Sequence, residues 1–300
     1  MKKTGLSNYS VILSFLIGVI PFYSWSQLPN CQIYMMDYAI IGDSVYFDTP
    51  LFLSSFNPKG YNNQPQFFSD QELYITTNYY DADRTDIVKL NMVDRTLQRV
   101  TKTVESEYSP SLTPDGNNFS VIRVEKYGND QSLHQYPLDQ SNSGRRLLKD
   151  LKNVGYHIWL SQDQLGLFLV EEPIKMVIAD LKTGRNRYLL DNVGRCLKRS
   201  KEGDLVIVHK LLPNKWYLKI YDPIRGSFKI ITETLPGKED FEILPDGSFL
   251  MARDSKVFRY PNKSLTDQWY EVDDFSDLDI ENITRISSSK NKIVLVTNKN

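Results

Sequence analysis

Two short runs in this 300-residue chain share one turn: Thr113-Pro114-Asp115-Gly116 and Leu244-Pro245-Asp246-Gly247. Proline fixes φ, aspartate supplies a side-chain acceptor, and glycine accepts positive φ, so Pro-Asp-Gly suits a tight hairpin. Weaker copies stand at Ser69-Asp70-Gln71, Ser161-Gln162-Asp163, Lys201-Glu202-Gly203-Asp204 and Ser289-Lys290-Asn291. Successive copies lie roughly 40 to 48 residues apart, the period of a four-stranded propeller blade. A period of this kind admits few folds, because one unit cannot bury its apolar faces alone and must stack on its neighbours.

Each turn is followed by an apolar stretch, such as Leu165-Gly166-Leu167-Phe168-Leu169-Val170, Leu205-Val206-Ile207-Val208 and Ile293-Val294-Leu295-Val296. Near-continuous apolar character fits a second strand buried on both faces between blades. An alternating third strand comes next and ends in Asp, Pro or Gly, as in Trp216-Tyr217-Leu218-Lys219-Ile220-Tyr221-Asp222-Pro223. A more polar fourth strand, such as Thr96-Leu97-Gln98-Arg99-Val100-Thr101, has the composition of an outer edge. An aromatic share of 12% agrees with strands throughout.

Five full units fill the chain from about Tyr61 to Phe275, and two further strands, 283–287 and 292–297, follow. The missing third strand is found at the other end, where Gln32-Ile33-Tyr34-Met35-Met36-Asp37 has the form of the other third strands; residues 45–53 supply the fourth. The expected fold is therefore an all-β, six-bladed β-propeller whose last blade is closed by N- and C-terminal strands, which leaves no open sheet edge at the seam.

The runs Asn63-Gln64-Pro65-Gln66-Phe67-Phe68-Ser69-Asp70, Thr85-Asp86-Ile87 and Glu107-Tyr108-Ser109-Pro110-Ser111-Leu112-Thr113-Pro114-Asp115-Gly116 resemble the TolB-type, WD-repeat-like propellers of bacterial envelope proteins. The resemblance covers nearly all of the chain after residue 26. It implies a funnel-shaped ring in the periplasm or outside the cell. It implies no particular chemistry, because such propellers serve as protein-binding platforms, as caps on peptidases and in other roles.

The first residues differ in kind. Lys2 and Lys3 precede an apolar run from Val11 to Tyr23, and Ser24-Trp25-Ser26 follows. A basic start, an apolar run too short to span a bilayer and a small-x-small end describe a signal peptide, residues 1–26, ahead of one domain over 27–300. Periplasmic or secreted export follows, with no membrane span once the peptide is removed. Cys31 sits too far downstream for a lipoprotein. Export permits a disulfide, but Cys31 and Cys196 belong to different blades, so both are expected as free thiols. A net charge of −1 argues against nucleic acid or an anionic membrane as partner.

In a propeller, the links from one blade's outer strand to the next inner strand surround the channel mouth. These links carry Asn63, Gln64, Glu107, Tyr108, His157, Arg195, Asp240 and Arg285, which form the expected ligand-binding set. Within it, His157, Glu107 and Asp240 are the candidate acid/base residues, since a histidine facing carboxylates can take part in proton transfer. The plain alternative is a set of polar side chains that pair with one another. Aromatic residues Tyr61, Tyr108, Tyr156 and Trp159 near the mouth either stack on a ligand or pack between blades. Asp81, Asp83 and Asp86 lack the glycine and distal glutamate of a calcium loop and read as a solvated turn; the cluster Asp273, Asp274, Asp277, Asp279 and Glu281 reads as a solvated loop. No metal or cofactor is expected. The chain contains no Gly-x-Ser-x-Gly, no His-Glu-x-x-His and no phosphate-binding glycine loop. The expected function is a binding module for another envelope protein, a peptide or a small polar ligand. The alternative is a channel-centred lyase, lactonase or cyclotransferase, which requires His157 within hydrogen-bond reach of Glu107 or Asp240, directly or through one water, in a pocket of a few hundred Å³.

Overall fold

The Pro-Asp-Gly turns close the hairpin between the first and second strands of their blades. Gly116 and Gly247 take φ of +70° and +82°, and their amides reach back to Thr113 O at 2.9 Å and Leu244 O at 2.8 Å. The aspartates act as acceptors: Asp115 Oδ1 receives Asn117 N at 2.9 Å, and Asp246 Oδ1 receives Ser248 N at 3.0 Å. The computed structural model describes residues 28–125, 130–223, 225–261 and 268–299. The expected signal peptide lies outside them.

The described strands form six antiparallel blades arranged as a propeller. From the axis outward, blade one is Asn62–Phe67, Glu72–Thr77, Asp86–Asn91 and Leu97–Arg99. Blade two is Ser106–Leu112, Asn118–Val124, Gln131–Pro137 and Arg145–Arg146; blade three is Val154–Trp159, Gln164–Leu169, Lys175–Asp180 and Asn186–Asp191. Blade four is Val193–Arg199, Leu205–Leu212, Lys215–Asp222 and Ser227–Glu233. Blade five is Glu242–Ile243, Phe249–Arg253, Lys256–Tyr260 and Tyr270–Asp274, with an inner strand of only two residues. Blade six takes Ile283–Ser288 and Lys292–Lys299 from the C-terminal end and Asn30–Ile41 from the N-terminal end.

The closing blade matches the sequence expectation with one difference. Residues 45–53 do not make one outer strand. Ser44–Phe47 pairs with the far half of Asn30–Ile41, and Leu51–Phe52 pairs with Tyr34 and Met35. Pro50 stands between the two pieces and has no amide to give to a ladder.

Among the described residues, six apolar cores lie between the blades, one at each interface. The core between blades six and one joins Cys31, Ile33, Val294 and Val296 to Leu73, Ile75 and Val88. That between five and six joins Leu250 and Val257 to Met36, Ile286 and Leu295. The second strands therefore read as apolar runs because both their faces are covered. Each fully buried Ile, Val or Leu contributes about 1.5–3 kcal/mol relative to exposure. Both cysteines are buried and free. Among the described residues, no helix is long and apolar enough to cross a membrane.

Candidate functional site in the central channel

The inner strands do not run straight into the channel. Their pairing with the second strands shifts register between Asn63 and Gln66, between Tyr108 and Ser111, between Val154 and Tyr156, between Val193 and Leu197, and between Ile283 and Arg285. Gln64 and Ser109 sit at two of these bulges with φ of 52° and 53°, each directly before a proline. Pro65 and Pro110 cannot donate to the ladder, so the break falls there. The bulges turn new side chains toward the axis. Gln64 Oε1 accepts Ser109 N at 2.9 Å, which ties blade one to blade two.

A cavity of ≈290 Å³ occupies the channel and takes its walls from the inner strands of all six blades. Its charged lining is Arg195, Lys198, Arg199 and Arg285 against Asp240 and Glu242, a formal excess of two positive charges. Asp240 Oδ2 sits between two arginines, 3.4 Å from Arg195 Nε and 3.6 Å from Arg285 Nη1. Glu239 also faces Arg195, at 3.5 Å, and holds Lys210 at 2.6 Å. Deeper in the channel, Lys198 Nζ donates to Glu242 Oε2 at 2.5 Å. Burial disfavours the Lys198 ammonium, but Glu242 together with Cys196 and Asp240 more than offsets it and the pKa goes up. The same balance, with Asp240 as the leading counter-charge, holds Arg285 in its charged form.

Among the described residues, one side-chain contact spans the channel between opposite blades. Arg285 of blade six donates through Nη2 to Tyr156 Oη of blade three at 3.0 Å, and its guanidinium carbon lies 5.4 Å from the Tyr156 ring centroid. Blades three and six are opposite in the ring. On the mouth side lies a smaller cavity of ≈170 Å³ that shares Arg195, Asp240, Arg285 and Ile286 with the larger one. Arg285 lines both cavities, and Tyr156 lines the larger one.

Of the residues expected around a ligand, Gln64, His157, Arg195, Asp240 and Arg285 line the cavity, whereas Asn63, Glu107 and Tyr108 do not. These three stand before the bulges of their strands. Asn63 is buried and donates toward Cys31 Sγ at 3.5 Å. Tyr108 packs edge-on against Tyr61 and into the apolar cores. Glu107 is fully buried at the junction of blades one and two, where its carboxylate accepts from Thr103 Oγ1 and its backbone meets Thr85. His157 is the partial case: its Nε2 lies 2.7 Å from Ser120 Oγ of blade two, which also accepts Trp159 Nε1 at 2.8 Å. Burial pushes the imidazole down to about 3, so it is neutral. No direct hydrogen bond joins it to Glu107 or Asp240 among the described residues, and its Nδ1 has no protein partner.

Two other expectations change. Trp159 lies at the far end of its strand, buried against blade two rather than at the mouth. Asp86 is not solvated: its carboxylate is fully buried and receives Arg99 Nη2 at 2.9 Å. Asp81 and Asp83 remain in an open turn, and no group of three or more His, Cys, Asp or Glu among the described residues could hold a metal. Sequence reasoning missed Lys198, Arg199, Glu242 and Ser287. The available signal was their charge or polarity inside inner strands next to the axis, where an apolar residue would cost nothing to bury.

No family model and no curated protein sequence matches the chain. Solved structures do. A chain assigned as TolB from Agrobacterium tumefaciens superposes with a TM-score of 0.67 at 11% identity, over 91% of this chain and 99% of that one. TolB from Acinetobacter baumannii gives 0.57 at 13% identity, over 89% of this chain and 63% of that one. An oligogalacturonate lyase in complex with manganese gives 0.51 at 10% identity, over 91% and 98%. The fold is thus the six-bladed TolB-type propeller. The same fold serves a lyase, and fold alone does not separate binder from enzyme.

Proposed function

We propose that this chain is an exported binding module that holds a small anionic ligand in its central channel. The observation that carries this reading is the excess of cationic side chains on a polar-walled cavity of ≈290 Å³. Arginine suits such a role, because its fixed fork of donors matches a carboxylate. The Arg195 side chain, 36% exposed and shared by both channel cavities, is reachable by a ligand. Ser287 and His157 support the reading, since each lines the cavity and keeps a buried polar atom, Oγ and Nδ1, without a protein partner. Export rests on the basic start, apolar run and small residues of the first 26 positions, and places the module in the periplasm or outside the cell. An acid/base enzyme has less support, because His157 is engaged with Ser120 and Glu107 lies outside the channel.

Titration calorimetry with a panel of mono- and dicarboxylates, a uronate and neutral sugars tests the reading. Anionic members should bind, and Arg195→Ala should weaken the best of them by about tenfold or more, the range for a lost charge-assisted hydrogen bond. Equal binding of neutral sugars, or an Arg195→Ala variant that binds as before, would show that the cavity is not an anion site.

A further inference from the structure

Beside the channel a wider cavity of ≈970 Å³ opens between blades four and five, and it shares Lys198, Arg199, Glu242 and Ser288 with the channel cavity. Strand register shows its direction. Lys198 lies opposite Val206, Val206 opposite Ile220, and Ile220 opposite Lys229, so these four form one row from the axis to the rim of blade four. Blade five faces it with a second row, Ile243, Phe249 and Tyr260, also in register. The cavity is therefore a radial cleft. Three steps between strands of ~4.8 Å make it ~14 Å long, the length of about four residues of extended peptide.

Its chemistry is divided. The floor is apolar and belongs to the core between these blades. The edges carry Arg199, Lys201 and Lys229, which make no ion pair among the described residues. Three acidic residues also line the cleft, Glu202, Glu242 and Asp246, but Glu242 is paired with Lys198 and Asp246 with Arg259. We propose that the cleft binds an extended peptide segment in which apolar and acidic residues alternate, with an acidic residue at its channel end. An extended chain sends successive side chains to opposite faces. One face can then lie on Ile220 and Phe249 while the other presents carboxylates to Arg199, Lys201 and Lys229. An acidic oligosaccharide would satisfy the cations but covers the aliphatic floor of Val206, Ile220 and Ile243 less well, since its ring faces are apolar only at their C–H groups. The proposal deepens the channel reading, and rests on it for the charge at the inner end.

The test uses the mature chain and fluorescein-labelled hexapeptides, Val-Glu-Val-Glu-Val-Glu and Val-Lys-Val-Lys-Val-Lys, read by fluorescence anisotropy. The acidic peptide should bind at least tenfold more tightly than the basic one, and Lys201→Glu with Lys229→Glu should remove that preference. Both lysines are exposed, so the fold should survive; an unchanged circular dichroism spectrum and melting point confirm it. Peptides binding alike, or an unchanged preference in the double variant, overturns the proposal. Displacement of the acidic peptide by trigalacturonate, with tighter binding of the sugar itself, also overturns it in favour of an acidic oligosaccharide. The channel reading fails separately, through Arg195→Ala and small carboxylates, which do not reach Lys201 or Lys229.

Discussion

Glu107 is fully buried between blades one and two, where Thr103 donates to one carboxylate oxygen and the other has no protein partner. Burial pushes its pKa up to about 7, and the charge of Asp86 adds to the rise against the pull of Thr103. The unfolded chain releases this proton near 4.5, so between about 4.5 and 7 the folded state holds more protons than the unfolded one. The contribution of Glu107 to stability must therefore fall as pH rises through that window and level off above it. At about 1.4 kcal/mol per pH unit the loss is on the order of 3 kcal/mol. Glu107→Gln keeps an acceptor for Thr103 and removes the titration. Urea unfolding of both proteins from pH 4 to 8 should give a difference that grows in favour of the variant up to about pH 7; parallel curves would mean that Glu107 is ionised throughout. His157 works in the opposite direction: its folded pKa is depressed, so its contribution is lost as pH falls below its ordinary value of 6.5. The difference between wild type and Glu107→Gln cancels that contribution.

The strand Asn30–Ile41 is the element on which the ring depends. It pairs with Lys292–Lys299 from Asn30 opposite Lys299 to Asp37 opposite Lys292, and an ion pair from Lys292 to Asp37 closes that end. Ile33 on this strand is fully buried in the core between blades six and one. Ile33→Ala should lower the unfolding free energy by about 3 kcal/mol, within the range for emptying a core site. Tyr46 on the neighbouring outer piece is 57% exposed, and Tyr46→Ala should cost no more than about 0.5 kcal/mol. Denaturant melts of the two variants check both. Similar losses would mean that the seam is no more tightly packed than the rim.

A ring closed by strands from both ends should unfold as a unit, and its two thiols allow that to be measured. Cys31 belongs to blade six and Cys196 to blade four, and both are buried. Burial pushes their pKa values up to about 11 and about 12, which leaves almost no thiolate at neutral pH. An aromatic disulfide reagent should leave both unmodified in the native state. In increasing urea the two should react together, at the midpoint seen by circular dichroism. Earlier reaction of Cys31 would show that the closing blade opens first. A reducing agent should not move the midpoint, since no disulfide joins the blades.

The sequence by itself determined the blade number, the strand order within each blade and the closure by both ends. These rest on local signals repeated along the chain: turn residues with special φ, and apolar runs where both faces are covered. The same signals marked Arg195, Asp240 and Arg285 as channel residues. Tertiary structure alone decided which neighbours join them. A bulge shifts a strand by one residue and so moves side chains to the other face; Asn63, Glu107 and Tyr108 precede such shifts and turn away from the axis, while Gln64 sits within one and lines the channel. Nothing local reports that Tyr156 and Arg285, 129 positions apart, meet across the ring. That meeting follows from closure, which brings opposite blades within the length of two side chains.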